Sequence, residues 1–146
     1  GVGRSLFYGK ALCSTCHAVG GQGSDFGPDL SNIGEIRSRH DLLEALVYPS
    51  ASFAREYETY HVKSGSTRYV GIINEQTSSS LAIHTGPGSE VRLSPSEIDA
   101  VETGTVSLMP SGLEQQLTPK ELSHLITFLE ALPYRLDRLI EINAGD

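Results

Sequence analysis

Basic charge is scarce in this chain. Its 146 residues carry 11 Lys and Arg against 18 Asp and Glu, a formal net charge of −7. That balance argues against a nucleic-acid partner, whose phosphates attract basic surfaces. It favours solubility and partners with positive patches. Long apolar runs are missing too. The most apolar-rich piece, LSHLITFLEAL at 122–132, is broken by Ser123, His124 and Glu130. Nothing approaches the ~18 apolar residues that span a bilayer. The opening GVGRSLFYGKAL lacks an apolar core followed by small residues at a cleavage site. It therefore does not read as a signal peptide, and the expectation is a mature form or an excised fragment. No internal repeat, low-complexity tract or phosphate-binding glycine motif is found, and no nucleophile–base pair stands out, so an enzyme is not expected. With 38% apolar and 20% charged residues, the composition is globular. The length fits one domain, 1–146, with a real core.

Sulfur is the next scarcity. There are two cysteines, both in Cys13-Ser14-Thr15-Cys16-His17, and one methionine, Met109, in LMPSG at 108–112. Four readings of the cysteines compete. A local disulfide of the thiol-redox kind would want a βαβ setting, which is absent. A zinc site needs about four ligands, and there is no second cysteine pair. Two free buried thiols would be purely structural. The fourth reading is C-x-x-C-H, the attachment site of c-type haem. Each thiol adds to one haem vinyl group, and the adjacent histidine can turn onto the iron from the same face. A haem iron held by one histidine has a sixth position, for which methionine and histidine are the usual protein ligands. The chain offers Met109 and four other histidines, His40, His61, His84 and His124. A lone methionine is ordinarily a flexible core filler.

Residues 3–13 read as a helix leading into the motif, with Leu6, Phe7 and Leu12 apolar. Residues 18–35 form a long loop whose five glycines and one proline permit turns and close backbone approach. Ser38, with Asp41 three residues on, predicts a capped helix with Leu42, Leu43, Leu46 and Val47 on one face, stopping at Pro49. Residues 55–93 alternate and are rich in β-branched and aromatic residues, which predicts three or four short antiparallel strands. Ser94-Pro95-Ser96-Glu97 matches a helix start, but EIDAVET can be either a short helix or an edge strand. Thr118-Pro119-Lys120-Glu121 is a capping box opening a helix with Leu122, Leu125, Ile126, Leu129 and Leu132 in phase. Pro133 ends it. In the tail, Leu136, Leu139 and Ile140 share a helical face, which would pack on the domain or on a second chain.

Placed in order, these pieces resemble class I cytochrome c. The features are a helix with Gly3 and Phe7 before CSTCH, a glycine-rich loop reaching GPDL at 27–30, SLMPSGL at 107–113, and a final amphipathic helix. The resemblance covers roughly 3–53 and 104–132. It is especially similar to haem-binding domains fused to large secreted bacterial dehydrogenase-like proteins, often beside a β-propeller. It implies a mainly α fold around one haem c, attached through Cys13 and Cys16, with His17 as proximal ligand and Met109 as distal ligand. It implies that the Pro28 carbonyl meets the His17 ring, and that the last helix crosses the first near Gly3 and Phe7. The expected organisation is a haem-attachment half at 3–53, a β-rich insertion at 54–103, a distal loop and helix at 104–132, and a tail at 133–146. The insertion departs from the family pattern. It could shield a haem edge, offer a docking surface or supply a competing distal ligand.

The leading functional expectation is electron transfer by a His/Met-ligated haem, as the electron-accepting module of a larger redox protein. A gas-binding or sensing haem domain with a displaceable distal ligand is the alternative. A third reading is a non-haem interaction domain with a local disulfide. The haem motif implies a periplasmic or otherwise extracytoplasmic location, a redox partner or fused catalytic domain, and no nucleic acid. A homodimer through the tail is open. Arg37 and Arg39 could pair with haem propionates or simply be solvated at a helix start. His61, His84, Tyr57, Tyr60 and Tyr69 read as ordinary strand positions. His40 and His124 read as solvated helix positions.

Overall fold

The computed structural model describes residues 1–51 and 57–133. The dimer expectation for the tail falls on residues 134–146, and the boundary expected at 53/54 falls on 52–56. Both lie outside the described residues.

Helix α1, Val2–Tyr8, buries Gly3, Leu6 and Phe7 and stops at Gly9. The minimal hairpin β1, Ala18–Val19, and β2, Gln22–Gly23, occupies part of the expected loop. A single turn, α2, follows at Ile33–Ile36. Helix α3, Arg39–Val47, begins in a reciprocal cap: the Asp41 N–H donates to Ser38 Oγ, and the Ser38 N–H to Asp41 Oδ2, each at 3.2 Å. These two bonds satisfy amide donors that the first helical turn leaves open. Leu42 and Leu46 face inward, while Leu43 is exposed.

The second half of the chain corrects the expected mainly α fold. Strands β3 (Tyr60–Ser64), β4 (Thr67–Gln76), β5 (Leu81–Gly86), β6 (Ser89–Leu93) and β7 (Ala100–Thr103) form one antiparallel sheet in the order β6-β5-β4-β3-β7. Among the described residues, helix accounts for 34% and strand for 27%, so the fold is mixed. The sheet also has one strand more than the expected three or four. The extra one is EIDAVET. After a short turn at Pro95–Glu97, the chain returns to β3, pairing Val101 with Val62 and Thr103 with Tyr60. Asp99 sets this register. Its N–H donates to the Lys63 carbonyl at 2.8 Å, and its carboxylate accepts from the Gly65 N–H at 2.7 Å. Local sequence does not contain that choice, because the partner strand lies more than thirty residues upstream. Val62, Leu81, Ile83 and Leu93 form the sheet's own core.

The last helix, α4, spans Pro119–Glu130 behind the Thr118–Glu121 capping box. It crosses α1 as the resemblance implied. A methyl group on residue 3 would meet the His124 carbonyl and lie 2.6 Å from Phe128 Cβ, so only glycine fits there. Phe7, fully buried, meets the Phe128 ring at 5.6 Å between centroids. Leu42 and Leu46 of α3 join Leu125, Ile126 and Leu129 of α4 in the same core. Arg39 reaches α4 as well, donating to Glu130 Oε2 at 2.9 Å and Ser123 Oγ at 3.0 Å.

Gly3→Ala is expected to lower stability by about 1–3 kcal/mol, the usual range for overpacking a tight contact. Val2→Ala, one residue away on the exposed side, is expected to change it by less than about 0.5 kcal/mol. Thermal unfolding of the two variants side by side checks the crossing, and equal midpoints would count against it.

Candidate haem-binding site

The motif sits at the exit of α1. After Gly9 the chain turns at Leu12, whose φ of 58° is left-handed and, among the described residues, shared only with glycines. An L-residue there costs about 1–2 kcal/mol. The turn delivers the chain into a single 3-10 turn, Cys13–Thr15, closed by the Cys16 and His17 N–H groups donating to the Cys13 carbonyl at 3.2 and 2.9 Å. In 3-10 geometry positions i and i+3 eclipse. The two thiols are therefore brought to one side, with His17 next in line. They are free, and each is half-buried. Burial pushes the Cys13 thiol up to about 11 and raises Cys16 as well.

His17 is held from the GPDL loop. Its Nδ1 lies 2.7 Å from the Pro28 carbonyl oxygen. A carbonyl only accepts, so Nδ1 carries the proton and Nε2 carries the free lone pair. Burial lowers the imidazole's affinity for a second proton, and the Pro28 contact partly opposes that. Gly27 makes the approach possible. Its N–H donates to the Cys16 carbonyl at 2.6 Å, and a methyl there would lie 2.9 Å from His17 Cε1. The residues thus fit a covalently attached haem: two free thiols on one side of a turn, and a neutral, oriented imidazole whose unprotonated nitrogen is available to a metal.

Met109 sits in the loop before α4, half-buried against the helical core that also receives Cys13, Leu30 and Ile33. Its N–H donates to Ser107 Oγ at 3.1 Å, and the Ser107 N–H donates to Ser50 Oγ at 3.0 Å. The remaining histidines lie elsewhere. His40 is exposed near Asp41 and Glu44. His124 belongs to α4. His61, on β3, lies beside Gly104. His84, on β5, stacks on Phe26 of the GPDL loop, with 6.5 Å between ring centroids, and its Nε2 lies 2.9 Å from Asn74 Nδ2 and 3.2 Å from Glu90 Oε1. Arg39 turns its guanidinium to α4, donating to Ser123, Thr127 and Glu130. Sequence reasoning missed Phe26, Ser50, Ser107 and Thr59, and read His84 as an ordinary strand position. Apart from the local Ser107–Met109 bond, their contacts cross long sequence separations.

Cys13 gives a pH dependence. Its folded value lies above the unfolded 9.0, so the fold favours the protonated thiol. In haem-free protein that contribution is complete below pH 9 and is lost as the pH rises toward 11. Alkylation at pH 8 is expected to modify Cys16 faster than Cys13, because a thiol titrating near 11 is only about one part in a thousand thiolate there. Peptide mass mapping reads the order, and equal rates would contradict it.

No curated protein sequence matches the chain significantly. The family model for Cytochrome c matches residues 3–103. That stretch includes Cys13, Cys16, His17 and Pro28 and ends before Met109. Matched over more than half its length, and with a CxxCH motif inside the match, the chain belongs to the cytochrome c family.

Proposed function

We propose that this domain carries single electrons on one haem c attached through Cys13 and Cys16, with His17 and Met109 as axial ligands. Membership of the cytochrome c family supports a haem-based electron carrier rather than a catalytic domain. The observation that carries the finer reading is the Pro28 carbonyl on His17 Nδ1 at 2.7 Å. It orients the ring, fixes the tautomer and raises the basicity of Nε2 as a ligand.

When bound, haem supplies an iron that moves between two oxidation states. The chain's own residues do the rest. Cys13 and Cys16 anchor the group, and the 3-10 turn sets its position relative to His17. Met109 offers a thioether, a weak axial ligand that raises the reduction potential relative to a second imidazole. An iron held by both His17 and Met109 would offer no open position to a substrate. We place the domain outside the cytoplasm and assign it a redox partner or fused catalytic domain that donates electrons. The family and the motif support the first point, and the net charge of −7 supports a partner face with positive patches. No helix of the described residues is long and apolar enough to cross a membrane.

A gas-binding reading has one observation in its favour, since the family match stops at residue 103, short of Met109. Carbon monoxide separates the two. The reduced, haem-loaded protein is expected to refuse it at neutral pH, and Met109→Ala to bind it readily. The oxidised protein is expected to show the far-red sulfur-to-iron absorption band, which Met109→Ala abolishes. Ready binding by the unaltered protein, with no such band, would overturn His/Met ligation.

A further inference from the structure

The chain enters the sheet through Thr59, which is 1% exposed and the one buried polar residue among those described. Its hydroxyl donates to the Val106 carbonyl at 2.7 Å, and its carbonyl accepts from the Gly104 N–H at 2.7 Å. A methyl on residue 104 would lie 2.7 Å from Thr59 Oγ1 and 3.2 Å from the His61 ring, so glycine leaves the room that the Thr59 hydroxyl occupies. From this anchor the tethering runs outward along the loop. The Ser107 N–H is held by Ser50 Oγ, just past α3, and Ser107 Oγ holds the Met109 N–H. Between residues 104 and 109, a backbone group of each of Gly104, Val106, Ser107 and Met109 is therefore fixed by an identified partner.

We propose that Thr59, assisted by Ser50, is a positioning residue for Met109, and that the sheet anchors the loop that presents the sulfur. This rests on the reading of Met109 as second axial ligand. A thioether makes no strong hydrogen bond and sits on three rotatable bonds. Its residence on a metal therefore depends on how firmly the loop backbone is held. Removing the Thr59 hydroxyl removes one neutral hydrogen bond from the loop, a loss that corresponds to up to about tenfold in an equilibrium.

The test is an imidazole titration of the oxidised, haem-loaded domain, followed by loss of the far-red band. Imidazole competes only when the sulfur is off, so a larger released fraction appears as tighter binding. Thr59→Val is expected to bind imidazole about tenfold more tightly, and Thr59→Ser to behave as the parent. Ser50→Ala, at an exposed position, is expected to shift in the same direction and serves where Thr59→Val does not accumulate. Leu81→Ala, in the sheet core away from the loop, is expected to lower the unfolding temperature without changing imidazole affinity. Parental titrations of both Thr59→Val and Ser50→Ala would overturn the proposal. A parent protein with no far-red band would instead remove the Met109 reading. Amide exchange of Ser107 and Met109 then decides the tether: faster exchange in Thr59→Val supports it, and unchanged exchange overturns it.

Discussion

The crossing of α1 and α4 at Gly3 is the constraint from which the site follows. The two backbones close to a distance that no Cβ tolerates, with Phe7 and Phe128 packed beside the contact. CSTCH is the continuation of α1, five residues past Tyr8, and LMPSG lies just upstream of α4. One rigid crossing therefore determines where both segments begin and how far apart they can lie. The helical core then receives Cys13 from one segment and Met109 from the other. Apolar burial in Phe7, Leu125, Ile126 and Leu129 supplies the stability. Neither candidate segment supplies much of its own, since each is a turn or loop with few internal hydrogen bonds.

The sheet is attached to this frame at both ends of the proposed site. On the GPDL side, the His84 ring stacks on Phe26, one residue from the glycine that admits the His17 ring. The β-bulge near Asn74 brings its amide nitrogen to 2.9 Å from His84 Nε2, with the Glu90 carboxylate 3.2 Å from the same nitrogen. On the LMPSG side, Thr59 grips Val106. A five-stranded sheet with its own core of Val62, Leu81, Ile83 and Leu93 is stiffer than a short connecting loop. The sheet thus meets both candidate ligand segments through a few short contacts.

Local chemistry was legible in the sequence wherever the deciding partner lies within one helical turn. The Ser38 and Thr118 boxes read correctly because their hydrogen bonds close over three residues. The first helix ends at Tyr8, five residues before the end expected at 13, and the turn that follows passes through Leu12, whose left-handed backbone no pattern announces. The mainly α expectation failed because strands β3 to β6, expected only as an appendage, join β7 in one five-stranded sheet. In EIDAVET the sequence fits helix and strand equally, and only the register against β3 decides. Arg39 reads as a solvated helix start, because Ser123, Thr127 and Glu130 are more than eighty residues away in sequence. Thr59 is the clearest case. A threonine at a strand entrance is unremarkable until its hydroxyl is seen to be buried against the loop of the only methionine.

The two proposed axial ligands are held by different physics. His17 is fixed through the ring itself: one hydrogen bond to Pro28 sets its orientation, tautomer and basicity together, and Gly27 keeps the space for it. That bond is local to the side chain that binds, so motion of distant elements transmits weakly to it. Met109 has no such handle. Its sulfur accepts only weak hydrogen bonds, and its nearest fixed atom is its own amide nitrogen, held through Ser107. Each further link, from Ser107 to Ser50 and from Val106 to Thr59, is an ordinary neutral hydrogen bond with a net contribution of about 1 kcal/mol. The proximal side is therefore secured by one contact, and the distal side by the cooperation of several weak ones. In that arrangement the sheet changes the stability of the distal side far more than that of the proximal side, although it touches the loops of both.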